Sequence, residues 1–205
     1  IDTTEEQYWG RNGHYNTRAS IHQRSEECFN FVNLAIVDPY FIPLMSLSYR
    51  QIDDLDTLSF ELLEYLRSLN LKIEVVLFDR GFYHAELIDF LESRKNGKPF
   101  PYVIFVPKNE AMQKYLLQTK GKFGEFSHLM SHSKDKSKWK ILTKILIYKE
   151  VGKNKNGDFY DWIFATNLSS SINLIPVYRK RWNIETGFRI HDEATIKSKS
   201  SYLII

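Results

Sequence analysis

The sequence predicts an α/β fold, a sheet of strands layered with helices. Two observations carry that expectation. Between residues 28 and 107, apolar runs of strand length alternate with stretches whose leucines recur at helical spacing. One of those runs is apolar almost without interruption, as a strand covered on both faces must be. At 205 residues the chain is long enough for one domain with a sizeable core, and length alone does not demand two.

The elements follow in order. "CFNFVNLAIV" (28–37) and "FIPLMSLSY" (41–49) are rich in β-branched and aromatic residues and flank "DPY", where Pro39 holds Asp38 extended, so they read as an antiparallel hairpin. In "DDLDTLSFELLEYLRSLN", Leu55, Leu58, Leu62, Leu66 and Leu69 follow acidic residues suited to a helix N-terminus, and Asn70 is the stop. "LKIEVVLFD" (71–79) is the buried strand, "GFYHAELIDFLESRKNG" an amphipathic helix ending near Gly97, and "PYVIFVP" (101–107) a strand bounded by prolines.

After residue 107 the texture changes. "NEAMQKYLLQ" reads as a short helix, followed by the Lys, Ser and Gly segment "KGKFGEFSHLMSHSKDKSK". Two strands, "KWKILTKILIYKEV" and "DFYDWIFATNL", are then joined by the turn-prone "GKNKNG". Beyond "LSSSINLIP", whose Ser and Asn supply caps and whose Pro176 suits a first turn, a last helix is expected to about residue 193. On it Tyr178, Arg181, Glu185, Arg189 and Asp192 share one face through steps of three and four.

Composition narrows the function classes. No run approaches the ~18 to 20 consecutive apolar residues of a membrane span, and "IDTTEEQYWG" has neither the basic start nor the apolar middle of a signal peptide, so a cytoplasmic protein without membrane association is expected. The single Cys28 excludes an internal disulfide and, inside an apolar run, reads as packing. Charge is uneven. Residues 1–107 hold ten Lys plus Arg against sixteen acids, whereas residues 108–155 hold twelve Lys against four. An acidic half that holds metal beside a Lys-rich part that holds phosphate suits an enzyme acting on polyanions; a solvated Lys-rich surface is the equal alternative.

Three acids stand where chemistry is expected. Asp79 ends the buried strand, at the sheet edge where α/β proteins place ligands, and it can equally cap the helix that follows. Gly81 lets the chain turn there and Phe82 return to the core. Asp2 reads as the end of a strand whose beginning precedes the sequence. Glu185 lies between Arg181 and Arg189; an exposed helix with ion pairs is the plainer alternative. Together Asp2, Asp79 and Glu185 supply hard oxygen ligands for Mg²⁺ or Mn²⁺, two ions of which, ~3.5 to 4 Å apart, activate an attacking hydroxyl and stabilise a leaving oxygen in phosphoryl transfer. His128 and His132, four apart, lack partners at a zinc spacing and read as surface histidines. Trp139 and Trp162 can stack on bases, but core packing is the expected use.

"DTTEEQYWG", "LFDRGFY" and "YRKRWNIETGFR" resemble the three acidic motifs of the DDE transposases of prokaryotic insertion sequences. The branch is the one named after insertion sequence four, with its Y-x2-R-x3-E-x6-K signature. Tyr178, Arg181 and Glu185 match in identity and spacing, and Asp79-Arg80-Gly81-Phe82 matches the middle motif. The signature's final Lys is Asp192 here.

The resemblance implies a ribonuclease-H-like mixed sheet flanked by helices, with a β-rich insertion before the last catalytic helix. Residues 1–107 are then the first part of the core, 108–170 the Lys-rich β-strand insertion, and 171–205 the C-terminal helical part carrying the third acid. It implies a catalytic and metal-binding triad of Asp2, Asp79 and Glu185 holding two Mg²⁺ (or Mn²⁺) ions. Tyr178, Arg181, Trp182 and Arg189 contact double-stranded DNA, at transposon ends and target, in a homodimeric complex at the nucleoid. Because the first acid stands one residue from the start, the sequence reads as a fragment or excised domain without most of the strand that carries Asp2. A non-catalytic DNA-binding remnant and an unrelated metal nuclease on the same fold are the competing readings.

Overall fold

A computed structural model of the chain describes residues 1–8, 17–18, 27–50, 52–93, 97–131 and 140–187. The chain forms two compact units, one of Ile1–Leu69 with Lys180–Ile205 and the other of Asn70–Arg179.

The first unit is built on an antiparallel sheet. Strand β3 (Glu27–Ile36) is its centre, pairing with β1 (Asp2–Tyr8), with the two-residue β2 (Thr17–Arg18), and with β4 (Ile42–Tyr49). The β3–β4 pair is the expected hairpin, and its turn carries a cis Asp38–Pro39 bond. Alternate β3 residues Cys28, Val32 and Leu34 are buried, the period of two expected of a strand with one face in a core. Cys28 points its thiol at Asn30 Oδ1, 3.4 Å away, which agrees with packing. Helix α1 (Leu55–Ser68) packs on β3 and β4 through Leu62, Leu63 and Leu66 and ends before Asn70, whose φ of 50° stops the helix as expected.

One expectation fails here. Asp2 does not end a strand; it begins β1, which continues through the residues read as following it. Asp2 lies opposite Asn33, and Asn33 is anchored on both sides: its Nδ2 donates to Thr4 Oγ1 (2.9 Å) and its Oδ1 accepts from Ser46 Oγ (2.6 Å). A ten-residue neighbour therefore holds Asp2 and the strand that runs on from it.

The second unit is a five-stranded mixed sheet of order β5-β6-β9-β8-β7. Strands β5 (Val76–Phe78) and β6 (Tyr102–Phe105) are parallel, and β6, β9 (Phe159–Thr166), β8 (Lys140–Lys153) and β7 (Phe123–Ser131) pair antiparallel. The Lys-rich stretch thus supplies three strands of the sheet that also contains β5 and β6. Interior strand β8 buries Ile145, Leu146 and Ile147 in succession, as a strand covered on both faces does.

Helices α2 (Ala85–Glu92) and α3 (Glu110–Gln118) pack on β8 and β7, and Asn109 caps α3 by accepting from the Met112 N–H at 3.0 Å. Only 76–78 of the run 71–79 is strand, because Leu71 and its neighbours are exposed. The stretch after Asp79 is a 3₁₀ turn (Arg80–Phe82) and then α2, not one helix, and α2 ends at Glu92, short of Gly97. Strand β7 lies within the segment read only as rich in Lys, Ser and Gly.

The last expected helix is also divided. Helix α4 (Leu174–Arg179) is followed by turn residues Lys180 and Arg181, and residues 182–187 form α5. At the break the Asn183 and Ile184 N–H groups reach back three residues, to the carbonyls of Lys180 (3.0 Å) and Arg181 (2.9 Å). Tyr178 and Glu185 therefore do not share one continuous helical face. Among the described residues no helix is long and apolar enough to cross a membrane.

Candidate functional site

In the first unit, the site begins with Arg181. Its Nη1 donates to Asp2 Oδ2 (2.5 Å) and its Nη2 to Glu185 Oε1 (2.8 Å). The structure thus brings together three of the residues picked from sequence, although Asp2 lies 179 residues from its partner. Asp2 and Arg181 are 7% and 8% exposed, so the pair sits out of bulk water, where charge-assisted hydrogen bonds are strongest; Glu185 is exposed. The Asp2 carboxylate also accepts the Thr3 N–H at 2.9 Å.

The helix carrying Glu185 is seated by residues that the sequence did not single out. Lys180 Nζ pairs with Asp38 Oδ2 (2.5 Å), Asn183 Nδ2 donates to the Val37 carbonyl (2.9 Å), and Gly187 faces the Phe41 ring. A Cβ on Gly187 would overlap that ring, so close approach requires glycine there. Lys180, Asn183 and Gly187 follow steps of three and four, and all meet the turn between β3 and β4. That spacing was the available signal, but the partners of Lys180 and Asn183 lie 142 and 146 residues away.

In the second unit, Asp79 follows the C-terminal end of β5, as expected. Its carbonyl accepts the Phe82 N–H (3.1 Å), but its carboxylate caps nothing in the turn that follows, so capping does not account for it. Phe82 returns to the core, its ring centroid 5.6 Å from that of Phe78. Gly81 has no left-handed φ and open space around it, so the turn itself does not demand glycine.

Tyr178, expected at DNA, is 3% exposed. Its hydroxyl donates to the carbonyl of Phe78 (3.2 Å), the residue before Asp79, and its ring lies among Phe105, Phe164 and Trp162 with centroids 4.9 to 5.8 Å away. The helix that presents it is fixed by Tyr148, whose hydroxyl accepts the Leu174 N–H and donates to the Ile172 carbonyl, both at 3.2 Å; burial raises the Tyr148 pKa. Asn173 accepts the Ile175 N–H (3.1 Å), the expected cap. Trp162 packs in the aromatic cluster, as expected. Trp182 is 46% exposed on α5.

Arg189, Asp192, His132 and Trp139 lie outside the described residues. His128 is on strand β7, so helical spacing with His132 does not apply; its Nδ1 lies 3.2 Å from the Tyr115 hydroxyl, and burial lowers its pKa. Among the described Lys residues between 108 and 155, several have internal partners, and Lys153 Nζ lies over the Phe159 ring, 4.7 Å from its centroid. Lys144 and Lys149 donate to the carbonyls of Leu168 and Thr119, and Lys108 and Lys122 pair with Asp161 and Glu150. Lys114, Lys120, Lys140, Lys153 and Lys155 are exposed.

The donor chemistry fits a divalent metal: Asp2 and Glu185 are hard carboxylates that already converge on one cation. Among the described residues, no group of three or more His, Cys, Asp and Glu side chains is gathered to hold a metal ion.

Comparison with known proteins adds two findings. The family model described as Transposase DDE domain matches residues 42–201. A cryo-EM structure of the piggyBac transposase synaptic complex with hairpin DNA superposes with a TM-score of 0.62 at 14% identity, over 98% of this chain and 42% of that one. At that identity the likeness is one of fold, and it agrees with the mixed sheet flanked by helices expected from sequence. No curated protein matches the chain.

Proposed function

Because the chain belongs to the Transposase DDE domain family, we propose that it is the catalytic part of a DNA transposase of the insertion-sequence-four-like branch. It cuts transposon ends and joins the freed 3′ hydroxyl to target DNA. The observation that carries this reading is the convergence of Asp2 and Glu185, from opposite ends of the chain, on the guanidinium of Arg181.

In this reading Asp2, Asp79 and Glu185 hold two Mg²⁺ or Mn²⁺ ions. When bound, such ions lower the pKa of an attacking water or hydroxyl and offset charge on the leaving oxygen. The residues of the chain position and neutralise. Asp2 is fixed by its place opposite Asn33 and by the Thr3 N–H. Asp79 is presented by a backbone that Tyr178 ties down at Phe78, so Tyr178 acts as a positioning residue beside its proposed role at DNA. Trp182 and Arg189 contact the duplex, and the exposed Lys residues of 108–155 hold its phosphates without reading sequence. The segment 108–170 is the insertion of this family's domain plan, between core parts 1–107 and 171–205. A homodimer at the DNA complex and action at the nucleoid complete the proposal.

The test is incubation with Mn²⁺ and DNA carrying the terminal repeats that flank the gene. Nicking plus joining is expected, and both Asp79→Asn and Glu185→Gln should reduce them to background while circular dichroism stays unchanged. Binding without cleavage would instead support the inactive remnant, for which Asp192 at the signature's Lys position is the specific observation. Nicking without joining would support the nuclease.

A further inference from the structure

Arg181 has an unusual position for a side chain assigned to DNA. A phosphate-binding arginine is expected to present its planar fork outward, whereas this guanidinium is buried and committed to two acids, one nitrogen to each. Both acids are proposed metal ligands. The positive charge that they require for convergence is therefore supplied from within the chain.

We infer that Arg181 is a built-in counter-cation that occupies the metal site until a divalent ion displaces it. This rests on the metal-dependent reading above. Without a cation, Asp2 and Glu185 repel each other, and Asp2, being buried, bears the larger desolvation cost. Arg181 offsets both. A divalent ion placed against the same carboxylates is repelled by the guanidinium twice as strongly as a monovalent one, so loading favours its withdrawal. Once withdrawn, the fork becomes available to a phosphate oxygen. Metal loading and phosphate capture are thereby coupled, and the empty site is closed to adventitious metal.

The inference predicts opposite signs for two measurements on one variant. Arg181→Gln should lower the thermal stability of the metal-free protein. It should also bind Mn²⁺ more tightly than wild type without DNA, by about tenfold, toward the lower end of the range for coupled sites. Binding is read from the paramagnetic resonance signal of free Mn²⁺, and Arg181→Lys, which keeps charge but cannot bridge with a fork, should fall between. Duplex DNA should narrow the gap, because phosphate then holds the withdrawn guanidinium.

Unchanged or weaker Mn²⁺ binding in Arg181→Gln would overturn the inference, since Arg181 would then order the ligands and not block them. If Asp2→Asn and Glu185→Gln leave Mn²⁺ binding intact, the metal reading itself fails. Should Arg181→Gln not fold, Mg²⁺ titration of ¹⁵N-labelled wild type replaces it. The arginine side-chain resonance absent from Arg181→Lys should move as Mg²⁺ saturates, and an unmoved resonance overturns the inference.

Discussion

Tyr178→Phe isolates one hydrogen bond. The substitution keeps the ring that stacks against Phe105 at 5.6 Å and removes the hydroxyl that donates to the Phe78 carbonyl at 3.2 Å. A typical net hydrogen bond contributes about 0.5 to 1.5 kcal/mol, and an acceptor left short of a donor in a buried place costs about 1 to 3. The 3.2 Å separation is longer than the usual range for a hydroxyl donor, so the bond is a weak one and a loss of about 1 to 2 kcal/mol is expected. Urea titration should show this as a lower midpoint with an unchanged slope, and Tm should fall by about 2 to 4 °C per kcal/mol in a chain of this size. Tyr178→Ala, which also empties the ring's place, should cost about 3 to 5 kcal/mol. The refuting result is a Tyr178→Phe protein of full stability whose binding to duplex DNA is weakened. That would mean the hydroxyl meets a phosphate and not the backbone ahead of Asp79.

Three further expectations follow. Gly187→Ala gains about 1 kcal/mol of helix propensity but forces the Phe41 ring aside, at about 1 to 3 kcal/mol, so urea denaturation should show a net loss; a more stable variant would mean the ring moves freely. Because burial lowers the pKa of His128 in the folded chain below its unfolded value, the unfolded state takes up its proton first; stability is complete above about pH 6.5 and declines as pH falls through that value, and His128→Gln should remove this part of the decline in urea titrations at about pH 7.5 and 5.5. Replacing Lys140, Lys153 or Lys155 with Gln should weaken binding to unrelated duplexes equally and reduce the log–log salt slope by about 0.9 for each phosphate no longer neutralised, in fluorescence anisotropy from about 50 to 200 mM salt.

Elements with their own periodicity were legible from sequence. The hairpin of β3 and β4, helix α1 with its leucines, and the pair β8 and β9 announce themselves through alternation or helical steps. Strand β7 did not, because it is a sheet edge whose Phe123, Glu125, Ser127 and Leu129 lie on an exposed face, diluting the apolar signal with Gly and Ser. The break at Lys180 and Arg181 was hidden because the steps of three and four from Tyr178 to Arg181 to Glu185 run across it without interruption. Within the site, spacing identified Arg181 and Glu185, since i to i+4 is written in the chain itself. Arg181 with Asp2, and the seat of α5 on the β3–β4 turn, depend on residues distant in sequence, and no local pattern encodes them.

The seat of α5 on that turn has an evolutionary corollary. Hairpin tips ordinarily absorb insertions and deletions at little cost. Here the tip at residues 37–41 is the rest on which Lys180, Asn183 and Gly187 lean. One residue more or fewer between Ile36 and Ile42 would re-aim Glu185, so variation in length should be purged from this loop and tolerated at the β8–β9 tip, where Asn154 to Asp158 close on themselves.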